Sequence, residues 1–252
     1  MKKTAAMEGS CASLEACDSV GGDKLYEPSS LLENLKNPCV RMQSSAENMG
    51  MSRPKIVQAL QEGRVLKNKS AKPFLKWAGG KYKLAREISD YIGVIDGGTY
   101  YEPFLGGASV FFSLDVSSAV LSDENERLIN TYQCIRDNPA SVHGCLSEVV
   151  SGHSSDRYYS VRDLFNAGIG SKYDRAAWFI YLNKAGFNGV YRVNQRGHYN
   201  VPAGNRETLS LPTMEDLRAV SERLKNVALV HSDFELAVGS ADKGDVVYLD
   251  PP

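Results

Sequence analysis

Thr99-Tyr100-Tyr101-Glu102 runs directly into Pro103-Phe104-Leu105-Gly106-Gly107-Ala108-Ser109, a short strand emptying into a glycine turn. Threonine and paired aromatics suit an extended strand. The two glycines let the backbone turn sharply and approach a ligand closely. Twenty-one residues after Glu102, a second apolar run, Ala119-Val120-Leu121-Ser122, ends on Asp123. An acid about twenty residues beyond a glycine loop is the spacing that grips ribose hydroxyls. A glycine pair after a strand is also a common plain turn, and no GxGxxG is present, so a nucleoside-bearing ligand and a simple turn both stay open. Glu102 beside the loop suits a cationic group, since a lone carboxylate repels pyrophosphate.

Outward from this stretch the elements alternate. Helix is expected over Lys83–Tyr91, from Ser109 to Leu114, over Glu126–Arg136 up to Asn138-Pro139, through most of 140–185, and over Met214–Lys225. Residues 186–206 are rich in Gly, Asn and Arg and read as loop. Val227–Val230 and Val246–Leu249 read as short β-branched strands. Strands alternating with helices imply an α/β fold with a parallel sheet, whose ligands sit at the carboxyl ends of the strands.

Two further stretches carry chemistry. The last strand delivers Asp250 at its carboxyl end, followed by Pro251 and Pro252. Proline has no N–H, so the carbonyls of Asp250 and Pro251 are free to accept hydrogen bonds. Such a cluster of acceptors suits the exocyclic amino group of a base; a strand with a Pro-rich end is the plainer reading. Phe74-Leu75-Lys76-Trp77-Ala78-Gly79-Gly80-Lys81 holds one of two tryptophans. It either walls a cofactor pocket or forms core plus a turn. It is not a phosphate-binding P-loop, because the GxxxxGK[ST] spacing fails.

Composition bounds the class. The chain has 252 residues, 42% hydrophobic and 23% charged, with net charge −1. That fits a soluble globular protein, and no apolar run approaches the roughly 18 residues that span a membrane. The average hides a split, since every aromatic residue except Tyr26 lies from Phe74 onward. Residues 1–50 are expected to be a disordered extension. Met1-Lys2-Lys3 opens like a signal peptide, but Glu8, Ser10, Ser13 and Glu15 interrupt any apolar core. Charge is segregated as well. Arg53 to Arg86 carries ten basic residues and one acid, Glu62; Lys172 to Arg206 carries six and one, Asp174. Two basic stretches suit either a solvated surface or a polyanion such as nucleic acid. Five cysteines without a CxxC fit a reducing compartment. The histidines at 143, 153, 198 and 231 have no metal-ligand spacing, so no metal is expected.

Taken together, FLKWAGGK, YEPFLGG and DPP resemble the Dam-type (α class) DNA adenine-N6 methyltransferases. A fourth segment adds to this: Tyr181-Leu182-Asn183-Lys184-Ala185-Gly186-Phe187-Asn188-Gly189-Val190-Tyr191-Arg192, continuing as Arg196-Gly197-His198-Tyr199-Asn200-Val201-Pro202-Ala203-Gly204. It is similar to the family's DNA-recognition segment and precedes DPP, as in that class. The resemblance covers about residues 73–252 and leaves 1–72 aside. It implies a Rossmann-like methyltransferase sheet with an inserted, mainly helical DNA-recognition domain. The expected division is a basic linker over 51–72, a catalytic domain from 73–135 and 225–252, and a target-recognition domain over 136–224. The implied cofactor is S-adenosylmethionine, held by Trp77, Lys81, Glu102, Phe104, Gly106, Asp123, Asp233, Phe234 and Asp250. Asp250 and Pro251 would bind the target adenine's amino group as the catalytic pair. Lys76, Asn188, Arg192, Asn194, Arg196, Asn200 and Pro202 would contact double-stranded DNA, at a GATC-like site. The resemblance further implies a bacterial or phage enzyme of the cytoplasm, reaching the nucleoid through DNA.

Two alternatives bracket this expectation. One is the methylase of a restriction–modification system with another target. A second is a non-catalytic DNA- or cofactor-binding remnant. A cytosine-C5 nucleophile at Pro38-Cys39 is disfavoured, because it precedes the glycine loop. RNA and protein-amide methyltransferases are disfavoured because they usually carry Asn-Pro-Pro. The family pattern continues past Asp-Pro-Pro with an aromatic that stacks on the flipped base, and this sequence stops at Pro252. The expectation is a sheet lacking its C-terminal part and weak or no methyl transfer by a chain ending there.

Overall fold

The computed structural model describes residues 70–252. The extension expected over 1–50, and the linker of 51–72 up to residue 69, lie outside the described residues. Four strands form one sheet: β1 (Tyr100–Glu102), β2 (Ala119–Asp123), β3 (Val227–His231) and β4 (Val246–Val247). Their order is β3-β2-β1-β4 and every neighbouring pair is parallel. This is a Rossmann-like α/β arrangement. Register pairs Glu102 with Leu121 and Tyr101 with Val247, and Asp123 with His231. All four strands therefore discharge their chain at one edge of the sheet.

Among the described residues seven α-helices accompany the sheet: α1 (Ala85–Ile92), α2 (Glu126–Asp137), α3 (Pro139–Ser151), α4 (Ser155–Asn166), α5 (Lys172–Ala185), α6 (Met214–Leu224) and α7 (Phe234–Val238). Their starts follow from the sequence. Asn125 accepts from Leu128 N–H to open α2, and Ser154 accepts from Arg157 N–H to open α4. Ser171 with Asp174 and Thr213 with Asp216 form capping boxes. Asn138 ends α2 and caps α3, with Pro139 in the first turn. One buried apolar cluster runs from Leu121 on β2 through Leu128 and Tyr132 on α2 to Phe179 and Ile180 on α5. No helix of the described residues is long and apolar enough to cross a membrane.

Three elements differ from the sequence expectation. Ser109–Leu114 is not the start of an α-helix but a single 3-10 turn over Phe111–Ser113. Ala108, wholly buried, sits at φ +55°, so the chain leaves the glycine loop through a left-handed residue that breaks helical continuity. The last strand is paired only over Val246–Val247, although Tyr248 N–H still donates to Tyr101 O at 2.9 Å. Helix α7 was not anticipated; Asp233 caps it by accepting from Glu235 N–H.

Leu121 is wholly buried on β2, with β1 on one side and β3 on the other. Leu121→Ala should destabilise the fold by about 3 kcal/mol through lost transfer energy and an unfilled cavity. Urea unfolding should show a lower midpoint at unchanged slope.

Candidate active site

The strand order reverses between β1 and β4, and in open parallel sheets the ligand crevice lies outside the carboxyl ends at that switch point. Glu102 ends β1 there, and Asp250 follows β4. Glu102 is buried, and Oε2 accepts from the Tyr100 hydroxyl at 2.9 Å and from Phe111 N–H at 3.2 Å. Asp250 Oδ2 accepts from Lys81 Nζ at 2.6 Å. The same ammonium donates to Gly79 O at 2.7 Å, so Lys81 bridges the Gly79-Gly80 turn to the end of β4. Pro251 is exposed immediately after it.

On β2, both oxygens of Asp123 hold backbone: Oδ2 accepts from Gly106 N–H at 3.0 Å and Oδ1 from Asn125 N–H at 2.9 Å. Burial pushes its carboxyl above the usual range, and those two bonds and His231 oppose the rise. Each oxygen keeps a further lone pair. Gly106 sits at φ +46°, and a Cβ there would fall 2.6 Å from Trp77 Cδ1. The glycine is therefore required twice, by its φ and by the indole lying on it. Phe104 stacks on Phe234 at 5.5 Å and 27°, while Asp233 spends Oδ1 on the cap of α7.

The residues expected to hold the cofactor thus form a linked series: Trp77 on Gly106, Gly106 on Asp123, Lys81 on Asp250, and Phe104 on Phe234. Buried Glu102, the half-buried acids Asp123 and Asp250, a backbone that a side chain would block, and a flat aromatic pair fit a cationic nucleoside with free ribose hydroxyls. Among the described residues no group of three or more His, Cys, Asp or Glu could hold a metal ion.

The segment expected to recognise DNA is tied to the Trp77 loop. Asn183, buried on α5, accepts from Lys76 N–H at 2.8 Å and donates to Lys76 O at 2.7 Å and Gly189 O at 3.0 Å. Asn188 is exposed at φ +55°, beside Phe187, which is 55% exposed. Phe187 N–H donates to Pro202 O at 2.9 Å, closing the base of the segment. Arg192 Nε donates to Asn200 Oδ1 at 2.9 Å. Asn194 Oδ1 accepts from the backbone of Arg196 at 2.9 Å and His198 at 3.1 Å, building the turn that lifts Arg196 into solvent. Asn194 therefore shapes the turn with the oxygen that base reading would use.

Residues 77–252 match the D12 class N6 adenine-specific DNA methyltransferases. The chain belongs to this family. It is similar to the type II methyltransferase M1.LlaDCHI of Lactococcus lactis subsp. cremoris, 37% identical over 192 residues (74% of this chain, 67% of that protein). It is likewise 37% identical over 198 residues to the type II methyltransferase M.MjaIII of Methanocaldococcus jannaschii (72% and 68%). It is 36% identical over 188 residues to a DNA adenine methylase of Serratia marcescens (73% and 67%). The match spans about two thirds of the length of each relative.

Several side chains of this D12-class site were not singled out by sequence. Tyr100 is the hydroxyl partner of Glu102. Lys184 is pushed down to about 8 by burial, with the charges of Lys76 and Arg206 adding. Three cations therefore converge beside the recognition segment. The basic count of 172–206 held that signal, but not the convergence with Lys76.

Glu102 is the most displaced acid, pushed up to about 8 from 4.5 by burial, with the charge of Asp250 adding and the bonds from Tyr100 and Phe111 opposing. Between those pH values the folded chain keeps a proton that the unfolded chain has released. Its contribution to stability is therefore full below about 4.5 and is lost as pH rises through about 8. The difference should be on the order of a few kcal/mol. Urea midpoints should fall between pH 5 and 7.5 in the wild type, and Glu102→Gln should flatten that fall.

Proposed function

We propose that this chain transfers a methyl group from S-adenosylmethionine to N6 of an adenine in duplex DNA. The observation that carries the reading is the Asp250–Lys81 pair beside buried Glu102 at the switch point, one loop away from Asp123 and Gly106. Glu102 and Phe104 line the place for the cationic methionine portion, Asp123 takes ribose hydroxyls on its remaining lone pairs, and Asp233 and Phe234 hold the adenine. Trp77 and Gly106 floor the loop, and Lys81 sets the carboxylate of Asp250. S-adenosylmethionine supplies an electrophilic methyl on a sulfonium.

The target N6 amino group is inaccessible inside a duplex, so the base must be flipped out. Asp250, through Oδ1, and the Pro251 carbonyl then accept its two N–H groups. That would leave the nitrogen lone pair directed at the methyl for in-line transfer without a covalent enzyme intermediate: the N–C bond would form as the sulfonium S–C bond breaks, S-adenosylhomocysteine would leave, and the proton shed by N6 would pass to Asp250. Phe187 presents an exposed aromatic face beside Asn188, suited to fill the gap in the base stack. Lys76, Arg192, Asn200 and Pro202 frame the DNA face, with Lys184 and Arg206 adding positive charge. The place of action is the cytoplasm of a bacterial or phage-infected cell, where the DNA is.

The second reading concerns the target alone. Relatives named type II methyltransferase and relatives named DNA adenine methylase match at 37% and 36%. A GATC-like site and a restriction-linked site use the same chemistry and differ in which bases Arg192 and Arg196 meet.

The test of the reaction is tritiated-methyl incorporation into adenine of duplex DNA by the purified gene product carrying residues 1–252. Incorporation abolished by Asp250→Ala is the expected result. Cofactor binding without any incorporation would turn the reading to a non-catalytic binding protein. For recognition, Arg196 is exposed on a turn braced by Asn194. Bidentate arginine–guanine contact discriminates by about 1–3 kcal/mol. Arg196→Ala should therefore relax preference at one base pair while non-specific binding persists. Uniform weakening across single-base variants, with the salt slope reduced by about one, would place it on phosphate.

A further inference from the structure

Three near-parallel rings from three separate segments meet at the root of the recognition segment. Tyr191 stacks on Trp77 at 5.8 Å and 17°, and on Phe179 of α5 at 5.2 Å and 26°; Trp77 and Phe179 lie 6.4 Å apart at 18°. Tyr191 also packs against Tyr199 at 5.6 Å. The hydroxyl of Tyr191 faces Arg127 and Asn125, which follow directly on Asp123. The guanidinium of Arg127 in turn sits 4.6 Å over Phe165.

The two tyrosines bracket the loop that carries Arg192, Asn194 and Arg196. Val193 and Tyr199 form an antiparallel bridge, and Asn194 N–H donates to His198 O at 2.9 Å. Tyr199 is immobilised from behind: its N–H and C=O both pair with the Asn166 amide, at 2.8 and 2.9 Å. Among the described residues no comparable side-chain clamp holds the backbone of Tyr191. What fixes it is its ring, stacked on Trp77 and on Phe179. Trp77 lies on Gly106, and Gly106 N–H is held by Asp123. The root of the DNA loop is therefore packed on the same loop that the proposed function gives to the cofactor.

We propose that Tyr191 is a positioning residue that couples the two sites: by stacking on Trp77 it lets an occupied cofactor site order the Arg192–Asn200 loop, and so tightens binding of duplex DNA. The inference rests on the proposed function and adds a residue and a linkage to it. A ligand that orders one of two packed loops lowers the cost of ordering the other. The effect must be reciprocal, with DNA tightening the cofactor site by the same factor.

The test uses the full chain, S-adenosylhomocysteine as an unreactive probe, and a labelled duplex containing GATC. In the wild type the probe should tighten duplex binding by roughly fivefold or more, and calorimetry should return the same factor in the opposite direction. Tyr191→Leu should bring that factor near one while each probe alone binds within about threefold of wild type. Tyr191→Phe, which keeps the ring, should retain the coupling. A purely structural role would instead weaken both probes and leave their ratio intact. Full coupling in Tyr191→Leu, loss of coupling in Tyr191→Phe equal to that in Tyr191→Leu, or no coupling in the wild type overturns the role of the stack. A wild type that binds neither probe overturns the proposed function, and this inference with it. Should Tyr191→Leu fail to fold, Trp178→Phe leaves Trp77 as the sole tryptophan. Its emission should then shift on addition of duplex alone, and a flat response would refute the coupling.

Discussion

A parallel sheet gathers its strand ends on one edge, and here that edge receives three carboxylates: Glu102, Asp123 and Asp250. The surrounding structure follows from how each charge is accommodated. Glu102 is buried, and its carboxyl is raised enough to hold a proton near neutrality. Asp123 is bonded by two backbone N–H groups. Asp250 is paired with Lys81. Each solution reaches back into the fold. The bond to Asp123 forces Gly106 to turn its N–H toward β2, and the turn ends in left-handed Ala108, which costs on the order of 1 kcal/mol of strain. The pair with Asp250 draws in the Gly79-Gly80 turn, and with it the Trp77 ring onto the glycine loop.

The helical side answers to the opposite charge. Lys76 and Lys184 are both held below the ordinary lysine range, by burial and by Arg206. Concentrating like charges near one surface opposes folding and is recovered when a polyanion arrives. Asn183 keeps this arrangement in place, because its single buried amide joins the Lys76 backbone to Gly189 with three hydrogen bonds. The start of the 181–204 segment is thereby tied to the Trp77 loop.

Legibility in the sequence followed the range of the interactions. Ala119–Asp123 is legible to the residue, because an apolar run and a terminal acid are local signals, and the cap at Asn138-Pro139 is local too. The 3-10 turn after Ser109 was misread, since helix propensity does not register a left-handed Ala108. Helix α7 is five residues long and carries no periodicity to detect. Glycine spacing flagged Gly106 but not its cover by Trp77. Lys81 and Asp250 were each singled out, while their ion pair spans 169 residues of chain and follows only from β4 lying beside β1. Tyr191 carried no signal, because an aromatic in a Gly- and Asn-rich stretch gives no hint of which rings it will meet.

The strand order explains why motifs so far apart belong to one device. With β4 placed beside β1, Asp250 reaches the loop that precedes α1 and pairs with Lys81. Crossing from β2 to β3 takes the chain through α2 to α6, and that excursion carries the basic segment around to the outer face of the Trp77 loop. Trp77, packed on Gly106 and stacked on Tyr191, links the strand edge that carries the acids to the segment that carries the bases. A net charge of −1 conceals this separation.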